Sequence, residues 1–332
     1  MEPLNPNSFV RSNRRKRLPP GVDLREWGGP VHFQGGFNTC AAHAGASLVS
    51  YFEKRIKGTD VAASRLFLYK VAKTFLLVGS PDSGVYLRQV MGVIKLIGVP
   101  PEQDWPYPDP GTPAQPRFSD CLFDTEPTPE CFAAASNYRA LNYSLEDVDQ
   151  KPEDLLRLAK AHLAAHIPFA FDFPVYPSMA RAQKSGQIPF PAADETVLTN
   201  HAVVAMGYDD GLEIGAGIEG AVKTRGALLI KNSWSEQWGE TGYGWLPYEF
   251  VLQCRTRDFW TLSFPVILSR VDGEGPPDLC AHRASAGRSR SAVAGVVGRR
   301  EPPLWYFARQ PPYQSGGCHR PAAPRHRTPR SR

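Results

Sequence analysis

The chain has 332 residues, 42% of them hydrophobic and 21% charged, which is enough apolar material to bury a core and excludes wholesale disorder. Its net charge of +5 averages unlike parts: residues 1–20 carry +4, residues 271–332 carry +7, and the body from 21 to 270 is left at −6. No apolar run approaches the roughly 20 residues that span a bilayer, and the polar, basic start lacks the apolar core of a secretory signal, so a cytoplasmic protein with no membrane partner is expected.

In chain order, the basic leader (1–20) ends at Pro19-Pro20-Gly21, which punctuates any helix or strand. From Cys40 the residues Ala41, Ala44, Leu48 and Phe52 recur at helical steps, and Glu53-Lys54-Arg55 places cations near the negative end of the helix. A second helix is predicted over about Tyr86–Ile97, stopped by Gly98-Val99-Pro100-Pro101, and residues 100–130 read as a long, proline-rich packed loop. Pro152-Glu153-Asp154 opens a third helix running to about His166, with proline and acids in its first turn.

After Pro168 the texture becomes extended: Phe169–Phe173, His201–Tyr208 and Ala227–Lys231 are short apolar or β-branched segments, the last two joined by a loose hairpin connection over Gly211–Gly226. Helices first and strands later indicate an α+β fold. The body, residues 21–268, divides into a helical lobe (about 36–165) packed on a sheet lobe (about 166–268), and the Arg- and Pro-rich stretch 269–332 is expected to be disordered. The six cysteines are widely spaced with no CxxC, so zinc-type pairing is absent and most are expected to be free, although Cys121 and Cys131 could pair in an oxidising compartment.

The chemistry starts at Cys40. A flexible turn, Gln34-Gly35-Gly36-Phe37-Asn38-Thr39, delivers its thiol to the start of the first helix, where the positive helix end favours a thiolate and lowers the thiol pKa. A lone cysteine is more often a small buried hydrophobe, so Cys40 needs partners. His201 begins one apolar strand and Asn232 ends another, and neighbouring strands can set the two side by side. An Asn side chain can then fix the orientation of an imidazole that exchanges a proton with the thiol.

Three separated segments resemble the papain-like cysteine peptidases: Asp23-Leu24-Arg25 leading to Gln34 and Cys40; Asn200-His201-Ala202-Val203; and Ile230-Lys231-Asn232-Ser233-Trp234 with Trp238-Gly239 and Gly242-Tyr243-Gly244. The match spans about residues 21–265. It implies a two-lobe fold, a helical lobe against an antiparallel sheet or barrel with the cleft between them, and a thiol peptidase that needs no cofactor or metal. The resemblance makes Cys40 the nucleophile, His201 the general base and acid, Asn232 its anchor, and Trp234 the shield of that hydrogen bond. Gln34 and the Cys40 N–H form the oxyanion hole, and Gly84, in Asp82-Ser83-Gly84, pairs with substrate backbone. Peptides or proteins are the implied partners.

The departures are informative too. Phe37 stands where the family has the partner of a secretory disulfide, which fits a reducing compartment, and Ala41 replaces an aromatic beside the nucleophile. Cys40 and His201 are 161 residues apart, against the family's roughly 130–150, and no long inhibitory segment precedes Asp23 in this sequence. His43, three residues after Cys40, is weighed as an alternative base and reads as a core histidine. Trp238, Tyr243, Trp245 and Tyr248 read as core and cleft wall, and Asp209 and Glu236 as solvated charges. An amidase or acyl transferase with the same residues, or a silent binding module of the same fold, are the alternative functions. The Arg-rich ends raise nucleic-acid binding, but dispersed Arg with few interleaved aromatics argues against that partner.

Overall fold

The structure, a computed structural model, describes residues 17–74, 82–108, 125–140, 142–145, 151–215 and 222–263. The leader up to residue 16, the expected disordered tail, Cys121, Cys280 and Cys318 lie outside them. In chain order the elements are β1 (Gly21–Asp23), α1 (Cys40–Lys57), α2 (Arg65–Thr74), α3 (Leu87–Leu96), α4 (Pro129–Ala135), β2 (Asn142–Leu145), α5 (Pro152–Ala164), β3 (Phe169–Val175), β4 (Thr199–Ile214), β5 (Thr224–Lys231), β6 (Tyr243–Pro247), α6 (Glu249–Leu252) and β7 (Arg257–Ser263).

Helix α1 is the pivot. Ala41, Ala42, Leu48, Val49 and Phe52 are all buried, as befits a helix covered on several sides: α2 and α3 pack on it from the helical lobe, β3 and β4 from the sheet. A Cβ at Gly45 would come within 2.4 Å of Val90 Cγ1, so α3 closes on α1 only because position 45 has no side chain.

The sheet has seven antiparallel strands in the order β2-β7-β3-β4-β5-β6, with β1 added on β4. Phe169, Phe171 and Phe173 alternate onto one face of β3 and pack on Phe259 and Phe250 at centroid distances of 5.2–5.9 Å. Asp172 falls on the other face, opposite Ala202.

The three expected helices and three expected strands are present, the strands longer than their apolar cores because β4 and β5 pair on to Ile214 and Thr224. The loose hairpin expected over Gly211–Gly226 is therefore paired at both ends. Two sheet strands, β1 and β2, come from before residue 165, so the chain crosses between the lobes. In the proline-rich stretch Trp105 and Tyr107 are buried, and residues 109–124 lie outside the described set. Cys131 is a buried free thiol whose Sγ donates to the Asp104 carbonyl at 3.4 Å, and Cys121, considered as its partner under oxidising conditions, lies outside the described residues. Cys254 is disulfide-bonded. Among the described residues no helix is long and apolar enough to cross a membrane.

Candidate active site

Cys40 is the first residue of α1. The Thr39 hydroxyl ahead of it makes no capping bond because it is paired with Tyr107 Oη at 2.7 Å. The helix therefore starts with backbone N–H groups that no side chain caps, next to the thiol. The thiol lies at the start of β4, within hydrogen-bonding reach of the Ala202 backbone, adjacent in sequence to His201.

His201 and Asn232 sit at neighbouring strand ends, as expected. Val204 of β4 is in register with Lys231 of β5, and the step beyond Lys231 brings Asn232 Oδ1 to 2.8 Å from His201 Nε2. The same Oδ1 accepts from the Ser233 N–H at 2.8 Å. Both residues are buried. Trp234 stacks on the His201 ring at 4.8 Å and 27°, and Trp238 closes edge-on behind it at 5.7 Å. Phe173, opposite His201 on β3, covers the ring edge at 6.0 Å.

Gln34 is held from three directions. Its N–H bonds the Ser233 carbonyl at 2.9 Å, its Oε1 accepts from Ser233 Oγ at 2.6 Å, and its Nε2 donates to the Phe37 carbonyl at 2.7 Å. An amide nitrogen has two hydrogens, so one donor remains for another acceptor. Tyr107 supports the same turn, donating from Oη to the Gln34 carbonyl at 3.0 Å while its N–H bonds Glu102, the carboxylate paired with Arg65. Ser233 and Tyr107 were given no role from sequence. Ser233 stood inside a quoted motif, but Tyr107 lies in a stretch with no periodicity and its contacts with the Gln34 turn are long-range.

Gly84 takes φ = +75°, a left-handed backbone that glycine adopts without strain, and lies against Asn38. Asp82 fixes the segment there, accepting from the Asn38 N–H at 3.0 Å and from Tyr69 Oη at 2.7 Å. Phe37 is buried and meets Tyr107 edge-on at 6.4 Å, so aromatic packing fills this position. Ala41 is buried, as are Trp238, Tyr243 and Tyr248. His43 is also buried, its Nδ1 bonded to the Thr39 carbonyl at 3.0 Å.

The electrostatics correct one expectation. Burial pushes the Cys40 thiol up to about 11, Asp172 pushes the same way, and hydrogen bonds from the backbone of Ala202, Ala41 and Cys40 only partly oppose it. The helix end lowers a thiol pKa, but here desolvation of the thiolate outweighs it. Burial likewise holds His201 down to about 4, against its bond to Asn232. Burial thus favours the uncharged thiol and the uncharged imidazole at this pair. Alkylation of Cys40 by iodoacetamide should keep rising as pH approaches about 11. A plateau below neutral pH would instead reveal a preformed thiolate–imidazolium pair.

Lys231, the last residue of β5, is buried with its Nζ bonded to the Gly28 carbonyl at 2.5 Å. Burial, with Arg65 and Lys54, pushes it down to about 7. Among the described residues no group of three or more His, Cys, Asp or Glu is placed to hold a metal ion.

Known proteins share this arrangement. The family model described as papain family cysteine protease matches residues 18–261. An uncharacterised peptidase C1-like protein of Acanthamoeba polyphaga mimivirus is 27% identical over 236 residues, 69% of this chain and 68% of its own. Oryzain beta chain of Oryza sativa subsp. japonica is 25% identical over 234 residues, 69% of this chain and 42% of its own length. Among solved structures, xylellain, a cysteine protease from Xylella fastidiosa, aligns with a TM-score of 0.62 at 30% identity, covering 80% of this chain and 90% of xylellain. With the family model spanning both lobes, from ahead of β1 into β7, the chain belongs to the papain family and is a cysteine peptidase.

Proposed function

We propose that this cysteine peptidase hydrolyses peptide bonds through a thioester on Cys40. His201 and Asn232 form the supporting pair, and the observation that carries the reading is their 2.8 Å bond beside the Ala202 backbone that contacts the thiol. With Nε2 directed at Asn232, the His201 nitrogen left for chemistry is Nδ1. The Cys40 proton passes to Nδ1 as sulfur bonds the scissile carbonyl carbon, and the carbonyl oxygen becomes an oxyanion. The free Nε2–H of Gln34 and the Cys40 N–H receive that charge. As the C–N bond breaks, the imidazolium returns its proton to the leaving amine. Water, deprotonated by the same nitrogen, then attacks the thioester and restores the thiol.

Trp234 over the imidazole keeps water from the His201–Asn232 bond. Gly84, held beside Asn38 by Asp82, offers its backbone to an extended substrate. An epoxide inhibitor of the E-64 type tests the assignment. It is expected to label Cys40 in the folded full-length protein and to leave Cys40→Ser unlabelled. Absence of labelling at Cys40 sinks the reading.

The reading extends to a reducing compartment, supported by Phe37 in place of a disulfide partner and by free Cys40 and Cys131. Cys254 argues the other way, so it is the residue to measure. Thiols trapped in whole cells before lysis decide it: a Cys254 disulfide found intact would place the protein in an oxidising compartment and overturn the reading.

A further inference from the structure

Behind Asn232, between α1 and the β4–β5 ends, lies a small cavity of about 10 Å³ bordered by His43, Ser47, Lys231 and Asn232. Two of these residues each carry a buried polar atom with no hydrogen-bond partner: Asn232 Nδ2 and His43 Nε2. Their chemistry is complementary. Asn232 Oδ1 is fixed by the Ser233 N–H, because a flipped amide would set donor against donor, so Nδ2 carries two hydrogens away from that bond. His43 Nδ1 faces the Thr39 carbonyl, which can only accept, so Nδ1 holds the ring proton and Nε2 presents a lone pair. Burial keeps this imidazole neutral. A cavity of that volume holds one water, and a buried water needs two or more polar partners.

We propose that one buried water occupies this cavity, accepting from Asn232 Nδ2 and donating to His43 Nε2, and that His43 is thereby a positioning residue for Asn232. The inference rests on the Cys40–His201–Asn232 reading above. The role of His43 is indirect. It holds the back of the Asn232 amide while Oδ1 holds His201, and it ties that amide to the Thr39–Cys40 turn through its own Nδ1. The alternative base role considered for His43 is incompatible with both of its nitrogens being engaged in this way.

The test has two arms, both on the full-length protein. A crystal structure should show an ordered water within hydrogen-bonding distance of both atoms, and an empty cavity there overturns the proposal. In kinetics, His43→Phe should lower kcat about tenfold, the scale of one lost hydrogen bond, with KM unchanged, and His43→Gln, which restores an acceptor, should recover most of the loss. A folded His43→Phe enzyme with wild-type kcat, or equal losses in kcat and in affinity for both variants, overturns it. If His43→Phe does not fold, His43→Gln and the wild-type structure still decide. Wild-type protein that neither turns over peptides nor takes up the epoxide would indict the triad reading instead, leaving the water to crystallography.

Discussion

Gln34→Ala is expected to lower kcat by about 10²–10³ while KM stays within a few fold, because the lost donor acts on charge that exists only in the transition state. The geometry explains why the effect should be at the upper end for a single amide. Both ends of the Gln34 side chain are already bonded, to Ser233 Oγ and to the Phe37 carbonyl, so the remaining N–H is aimed before substrate arrives and costs no reordering. A structural explanation of the loss is separable. Gln34→Glu keeps the side-chain shape and an acceptor for Ser233 but substitutes an anion for the donor, and it should be at least as damaging as alanine. Ser233→Ala loosens the amide without removing it and should cost about tenfold. Gln34→Ala within tenfold of wild type in kcat would take Gln34 out of the oxyanion hole.

The residues legible in the sequence were those whose signal is local. Cys40 follows a Gly-rich turn and opens a long periodic helix, and Asn232 closes an apolar strand in a specific motif, so both were placed before any geometry. His201 was read at the start of an apolar strand, Gln34 came from the family resemblance, and the structure sets His201 against Asn232 and Gln34 against Ser233. What escaped is tertiary. Helix α2 is a nearly continuous apolar run, Leu66-Phe67-Leu68-Tyr69 with Val71-Ala72, which periodicity alone cannot tell from a buried strand. Strands β1 and β2, of three and four residues, exist only through pairing with β4 and β7 far along the chain. The direction of the Cys40 pKa failed for the same reason. A helix end can be read from sequence, whereas the burial that outweighs it cannot.

Burial of cationic groups makes a second large effect: thermal stability should rise with pH across two windows. His32 is held down to about 3, His201 to about 4, and His43 well below its usual 6.5, all chiefly by burial. Below 6.5 the unfolded chain takes up protons that these folded imidazoles refuse, so their contribution is intact above 6.5 and is lost as pH falls toward about 4. At about pH 5 His32 and His201 each cost on the order of 2 kcal/mol, and His43 acts in the same direction, so the Tm should drop by on the order of 10 °C from its value near pH 7.5. Glu249 and Asp258, both raised by burial, work in the opposite direction, so the difference must be assigned by variants. His32→Gln should recover part of the acid loss. Lys231 gives the upper window: its folded value of about 7 lies below the usual 10.5, so the unfolded chain binds the extra proton between them and stability climbs from 7 toward 10.5. Lys231→Met should flatten that alkaline rise while leaving the acid limb in place. Calorimetry of the wild type near pH 5, 7.5 and 9.5 checks both limbs. An equal Tm at the first two in a variant that also carries Glu249→Gln and Asp258→Asn would mean that the buried histidines are protonated in the folded protein, and the preference for an uncharged His201 would fall with them.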